Sequence, residues 1–354
     1  MLYLVALHSI GISQRKLSVI FEKSENYKEF YEKINFSNLK SFFNEKEIEK
    51  ILERKLQIDL NKINKIIHEK NVEIITIKDE KYPKLLKEIA NPPYFLYVRG
   101  QIDNSPKIAV IGSRKMTSYG ENAIGKIIPT LSKYFTIVSG GAMGCDSEAH
   151  IETIKNEGKT LAIIGTGIDI DYPTFNKKLY DEIIKKGGGI ISIFPLGEPG
   201  NVYNFPIRNE IISGLSVGVL VIEAQEKSGT LITVNLALEQ GKDIFSIPGD
   251  IFRTNSLGCN NLLKNGNAKM VTCSEDILEE YNINTLNTSQ KTEKISFVNE
   301  LESIIYETLL LESFSVDDLM KKLNLGLTDL SVNLSMLEIR GIIKKGEGGK
   351  YEVS

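Results

Sequence analysis

Cysteine is scarce in this chain of 354 residues: Cys145, Cys259 and Cys273 are odd in number and far apart. No disulfide framework and no zinc spacing can be built from them, so a reducing, cytoplasmic compartment is expected. Tryptophan is absent, and histidine occurs only as His8, His68 and His150. Metal clusters and nucleophile–imidazole pairs therefore have little material to draw on, and neither a metal nor a cofactor is expected. An excess of one charge is missing too, since 43 Lys and Arg against 46 Asp and Glu leave a net charge of -3. Without a basic whole-molecule field, any nucleic-acid site must be a local cluster. No apolar run approaches ~18 residues, which argues against a helical membrane span and a membrane partner. The opening MLYLVALHSIGISQRK has no preceding basic region and no small-residue cleavage site, so it reads as a helix rather than a signal peptide.

Glycine is missing between Gly11 and Gly100. Over residues 1–70, Phe and Ile recur among Lys and Glu at helical spacing, which predicts several short helices. The stretch LHSIGISQRKLSVIF bends at Gly11. It reads either as a helix-hairpin-helix (or SAM-like) unit that offers amides to phosphate, or as a helical packing module. Residues 72–100 read as strand, short helix, strand, with Pro83 in the first helical turn and Pro92-Pro93 stopping the helix.

From residue 107 the pattern changes. KIAVIG, FTIVSG, TLAIIG, GIISIF, VGVLVIEA and DIFSIP follow one another at about 27 residues. Each is a near-continuous Val/Ile run, as a strand buried on both faces requires, and each gap fits one crossover helix. The class is α/β, with an open parallel sheet and helices on both faces. The polar stretch 282–294 reads as a linker. Residues 295–354 contain three helical segments and a glycine-turned hairpin, the content of a winged helix. Ser315 and Asp318 stand at capping-box spacing, Thr328 is the expected N-cap of the third helix, and Gly341 lies just past its end. The core is thus bounded at 71–281.

Ligands of such sheets bind beyond the carboxyl ends of the strands. The stretch IAVIGSRKMTSYG carries Gly112-Ser113-Arg114 there, where a dinucleotide site would carry three glycines. The second run leads into Ser139-Gly140-Gly141 and Asp146, expected to cap the following helix. The third leads through Gly165 and Gly167 to Tyr172, Phe175, Lys177 and Lys178. The fourth leads to Phe205, Arg208 and Asn209, and the fifth to Glu223 and Ser228-Gly229-Thr230. Five small-residue turns at helix starts favour anions along one edge. With Arg114, Lys177, Lys178 and Arg208 they suggest a groove that follows a polyanion, with aromatic rings beside it to stack bases. His150 reads as a core residue packed on the sheet. Glu223 reads as an acid in the crevice or as an acceptor for loop amides.

The motifs GSR…YG, SGGAMGCDSEAH, YPTFNKKL, FPIRNEIISGLS, EA…SGTLIT, IPG and GCNNLLKNGNA occur in that order. In this the chain resembles the DNA-processing protein A (DprA/Smf) family over about residues 80–275. The resemblance implies an extended Rossmann-like core that binds single-stranded DNA, forms homodimers and helps load RecA recombinase in natural transformation. It implies that Gly112, Ser113 and Arg114 grip phosphate, that Ser139, Gly140, Gly141, Asp146, Phe175, Lys177, Lys178, Arg208, Asn209, Ser228, Gly229 and Thr230 belong to the same nucleic-acid site, and that Gly258, Asn260, Leu262 and Leu263 serve the dimer. The family pattern has Ser-Glu after the fourth strand and R-N-R in the following helix, where this chain has Ser192-Ile193 and Arg208-Asn209-Glu210. An acid at 210 lowers the local charge. Between Thr328 and Glu338 there is no Lys or Arg, so the third C-terminal helix is expected to contact protein rather than read a groove.

Two competing readings differ in class. Nucleotide phosphoribohydrolases that resemble this core carry a catalytic glutamate in a G-T-x-x-E turn. Here Gly229-Thr230-Leu231-Ile232-Thr233 ends in threonine, which counts against hydrolysis and leaves no catalytic residue to name. A DNA-independent scaffold would tolerate Arg114→Glu.

Overall fold

In the computed structural model, residues 1–22, 24–283 and 297–353 are described. Two units separate by contact, Met1–Asn284 and Thr285–Ser354. Most of the expected linker, residues 284–294, lies outside the described residues.

The larger unit is built on one nine-stranded sheet. Its strands are β1 (Val72–Thr76), β2 (Phe95–Gly100), β3 (Lys107–Ile111), β4 (Thr136–Ser139), β5 (Thr160–Ile163), β6 (Gly189–Ser192), β7 (Gly218–Val221), β8 (Asp243–Ser246) and β9 (Lys269–Met270). Their spatial order is β1-β2-β6-β5-β4-β3-β7-β8-β9. The six runs of the sequence form the parallel part, and β9 extends it. The sheet is mixed at its other end, where β2 joins β6 and β1 joins β2 antiparallel. Ile108, Ala109 and Val110 are fully buried, because helices cover both faces. Alternate residues serve opposite cores: Ala109 and Ile111 meet Ile212 and Val234, while Ile108 and Val110 meet Ile124 and Ile128.

The first seventy residues pack on the sheet rather than apart from it. Leu4, Leu7, Ile10 and Leu17 share one core with Phe95, Tyr97 and Ile190. His8 Nδ1 lies 2.9 Å from the Tyr97 hydroxyl. Gln14 bridges two strands' ends, accepting from Phe95 N at 3.0 Å and donating to the Ile193 carbonyl at 2.9 Å. The bend at Gly11 is followed by Ser13, which caps the helix Gln14–Ile20.

The smaller unit has helices Glu300–Leu311, Val316–Leu323 and Leu327–Ile339, and a hairpin of β10 (Ile343–Lys345) and β11 (Tyr351–Val353). Leu319, Leu330, Leu334 and Leu337 form its core with Ile305 and Tyr351. Ser315 caps the second helix as expected. The third begins two residues earlier than Thr328 as its N-cap would allow, with Gly326 at the N-cap. That register puts Asp329 in the first turn, where its charge suits the helix dipole. Among the described residues no helix is long and apolar enough to cross a membrane.

Candidate nucleic-acid interface

The sheet order reverses at β3, with β4 on one side and β7 on the other. Turns after those three strands converge there, as an open α/β sheet requires of its crevice. Gly112 is glycine because of a close approach: a Cβ would stand 2.5 Å from Cys145 Sγ. Gly144 has φ +77°, and a Cβ on it would lie 2.4 Å from the Ser113 carbonyl oxygen. Cys145 N donates to that carbonyl at 3.2 Å, so the first two turns touch through backbone. Ser113 Oγ accepts from Lys115 N at 3.1 Å and orders its own turn. Thr230 Oγ1 donates to the Gly112 carbonyl at 3.1 Å, and Ser228 caps the helix Gly229–Glu239 by accepting from Thr230 N. The three turns are one assembly.

They enclose a cavity of about 550 Å³. One wall is Gly112, Ser113, Arg114 and Lys115; another is Lys227 through Thr230; a third is Phe205, Arg208 and Asn209 from the helix Asn204–Leu215. Arg114, Lys115 and Lys227 are exposed, and none has a carboxylate within ion-pair distance among the described residues. The Arg114 guanidinium lies over the Phe205 ring, 5.3 Å from its centre.

Asp146 is the sole carboxylate lining the cavity among the described residues. Burial pushes its carboxyl above the usual range, and the Arg208 charge pulls it back. Arg208 is buried as well, with its own ionisation lowered by desolvation and supported by Asp146. Its Nη1 donates to the carbonyls of Gly140 and Ile163, at the carboxyl ends of β4 and β5, and Nε donates to Asn209 Oδ1 at 3.1 Å. Arg208, expected to line the nucleic-acid site, braces two strand ends from within. Asp146 does not occupy the N-cap position of its helix. Gly144 does, because only its positive φ turns the chain there, and Asp146 accepts from Ala142 N at 3.3 Å from the first turn.

The cavity brings together Gly112, Ser113, Arg114, Asp146, Arg208, Asn209, Ser228, Gly229 and Thr230. Ser139 lies behind it, fully buried, donating to the Val110 carbonyl at 2.6 Å. Gly140 is packed against Arg208 and Asp146, and the Gly141 carbonyl accepts from Asn176 Nδ2 at 2.8 Å. Phe175, Lys177 and Lys178 are exposed outside the cavity. The third turn of the expected five is closed: Phe205 covers Gly165, whose carbonyl accepts from Asn204. Lys115 and Lys227, which sequence reasoning passed over, directly follow Arg114 and precede Ser228; that adjacency was their only signal. Glu223 takes the acceptor role, receiving Thr117 N at 3.0 Å and Thr117 Oγ1. His150 is packed on the sheet with Nδ1 2.6 Å from Thr160 Oγ1, and burial holds its pKa down to about 3. Of the residues assigned to a dimer, Gly258 is bonded to the Ala224 carbonyl, Asn260 clamps Gly249, Leu262 is in the core and Leu263 is half-buried.

The profile of the family described as DNA recombination-mediator protein A matches residues 73–282. DNA processing protein DprA of Streptococcus pneumoniae is 41% identical over 232 residues, which span 65% of this chain and 81% of that protein. Protein Smf of Synechocystis is 32% identical over 349 residues, covering 88% of this chain and 87% of its own length. The X-ray structure of the S. pneumoniae protein superposes with a TM-score of 0.66 at 36% identity, covering 79% of this chain and 98% of that one. DNA processing protein A of Helicobacter pylori, solved for its single-stranded DNA binding mode, superposes with a TM-score of 0.53 at 28% identity, over 59% of this chain and 96% of that one.

Proposed function

The chain belongs to the DNA recombination-mediator protein A family, and from that premise we propose that it binds single-stranded DNA in the cavity beyond β3, β4 and β7. The observation that carries the reading is the cluster of unpaired cations, Arg114, Lys115 and Lys227, around glycine-rich turns at helix starts. A backbone phosphate at Gly112–Arg114 meets amides and a guanidinium together. Phe205, under Arg114, offers an adjacent base a ring to stack on. Asp146, accepting from Ala142 N, and Arg208, donating to the Gly140 carbonyl, set the shape of the turn and oppose each other in charge. Such contacts give salt-sensitive affinity with little sequence preference.

The protein acts as a binder rather than an enzyme in this reading. Thr233 stands where the related hydrolases place glutamate, and the one carboxylate lining the cavity among the described residues, Asp146, accepts from Ala142 N within its own turn. Its role is to protect single strands in the cytoplasm and help load RecA recombinase during transformation or recombination, as a homodimer. Exposed Ile251 and Phe252 beside the helix Thr254–Lys264, and exposed Met270 on the edge strand β9, support a protein contact at that end of the sheet. The division into helical 1–70, core, linker and winged helix is part of the same proposal. Val332, Met336 and Ile339, exposed along one face of the third C-terminal helix, support a protein-contact role for that unit.

The test is fluorescence anisotropy of labelled single-stranded and duplex oligonucleotides across a salt series. Wild type should favour the single strand. Arg114→Ala should lose roughly 10-fold or more in affinity, the worth of one charged hydrogen bond, and flatten the salt slope by about 0.7. An unchanged affinity and slope would remove the cavity from this role.

A further inference from the structure

We propose that Asn255, in the first turn of the helix Thr254–Lys264 and outside the cavity lining, is a positioning residue. It holds the backbone of Lys115 so that the ammonium meets a strand phosphate. The inference rests on the reading of the cavity as a single-strand site, and it brings the element after β8 into that site. The turn after β3 is anchored at both ends. Thr230 Oγ1 donates to the Gly112 carbonyl, Cys145 N donates to the Ser113 carbonyl, and Thr117 N donates to Glu223. Between those anchors lie Arg114, Lys115 and Met116, with two of the free cations among them. Among the described residues, the one hydrogen bond from these three to another element is at Lys115, whose carbonyl accepts from Asn255 Nδ2 at 2.8 Å. Lys115 N is bonded only within its turn, to Ser113 Oγ.

The sense of that bond is fixed from the other side. A carbonyl only accepts, so the amino end of the Asn255 amide faces Lys115. Gln225 Nε2 donates to Asn255 Oδ1 at 3.0 Å, which occupies the oxygen end and keeps the amide from turning over. The Asn255 backbone is held as well. Its carbonyl accepts from Ala224 N at 2.8 Å, and Gly258 N donates to the Ala224 carbonyl at 2.8 Å. A Cβ at Gly258 would lie 2.7 Å from the carbonyl oxygens of both Ala224 and Gln225, so the helix start sits directly on the turn after β7. Asn255 thus spends both ends of its amide on Lys115 and Gln225, two residues of the cavity wall, and lines none of it itself. Lysine carries its charge on a flexible four-carbon stem, and ordering that stem on a phosphate costs entropy. A backbone already fixed by Asn255 leaves only the side chain to order, which is the advantage of preorganisation.

The test is a double-mutant cycle read by anisotropy across a salt series, on a labelled single strand of about twelve nucleotides, within the span such sites cover. Asn255→Leu keeps the bulk of the side chain and loses both hydrogen bonds. It should weaken binding roughly 5-fold, the worth of one hydrogen bond. It should also flatten the salt slope toward that of Lys115→Ala, which loses one phosphate contact and about 0.7 of slope. In the Lys115→Ala background Asn255→Leu should change neither affinity nor slope. A merely structural role would reduce the fraction of protein able to bind, leave the slope of that fraction unchanged, and act equally with or without Lys115. Asn255→Ala carries the same cycle if the leucine variant does not fold. Wild-type affinity and slope for the folded variant, or an equal loss in both backgrounds, with Arg114→Ala still weakened, would overturn the role of Asn255 and leave the cavity. Failure of wild type to bind the strand would overturn both.

Discussion

Replacing Arg208 by methionine should unfold the larger unit more readily rather than merely weaken its binding. The side chain is 5% exposed, and its guanidinium serves two strand-end carbonyls and stands opposite Asp146. Methionine keeps most of the apolar bulk and none of the donors. Breaking a buried charge pair by removing one partner costs about 3–5 kcal/mol, because the other charge is left unmatched. A domain of this size loses about 2–4 °C of melting temperature per kcal/mol, so differential scanning calorimetry at neutral pH should show a fall of roughly 6–20 °C. The pH dependence identifies the cause. Burial already raises the Asp146 carboxyl in the folded protein, and without Arg208 it rises further. Between the unfolded and folded pKa values the folded state then binds more protons, so the variant gains stability as pH falls. The deficit against wild type should narrow by up to about 1.4 kcal/mol per pH unit across that window. Asp146→Asn in the Arg208→Met background should recover part of the loss at neutral pH and flatten the pH response. Unchanged melting with lost DNA binding would refute the reasoning and make Arg208 a ligand contact alone.

Gly144→Ala should destabilise by about 1–3 kcal/mol in urea titration, since φ +77° strains any side chain and its methyl would push on the Ser113 carbonyl. Gly229→Ala, where nothing lies within 4 Å of a new Cβ, is the control and should unfold as wild type; equal behaviour of the two would discard the turn-contact argument. His8 and His150 are both held down to about 3 by burial, so the unfolded chain binds more protons below its pKa of about 6.5. Stability is then complete above that pH and should be lost as pH falls, by up to about 1.4 kcal/mol per pH unit for each. NMR should show neither imidazole titrating in the folded protein above pH 4, and an ordinary titration near 6.5 would contradict their burial.

Legibility followed the range of the interactions. Runs such as KIAVIG announced the parallel strands because a strand covered on both faces is mostly apolar along its length, with polar groups confined to its ends, where they find partners. The cap at Ser315 was readable for the opposite reason, since a cap bonds within three residues of itself. The antiparallel join of β2 to β6 was not readable: Phe95–Gly100 and Gly189–Ser192 are about ninety residues apart, and neither segment names its partner. The closing of the third turn was hidden likewise, because Phe205 reaches Gly165 across forty residues.

By itself the sequence determined the α/β class, the strands β1 to β8, the glycines at their ends and the family motifs, while the short edge strand β9 was not among them. Only the tertiary structure decided which cations are free. Arg114 and Arg208 are equally basic and both follow a strand. One projects over Phe205 into solvent, and the other is buried at the carboxyl ends of β4 and β5, where two carbonyls accept from it and the Asp146 charge offsets part of its desolvation. The charge of a side chain is written in its chemistry. Whether that charge meets a ligand or the protein's own backbone depends on the atoms packed around it.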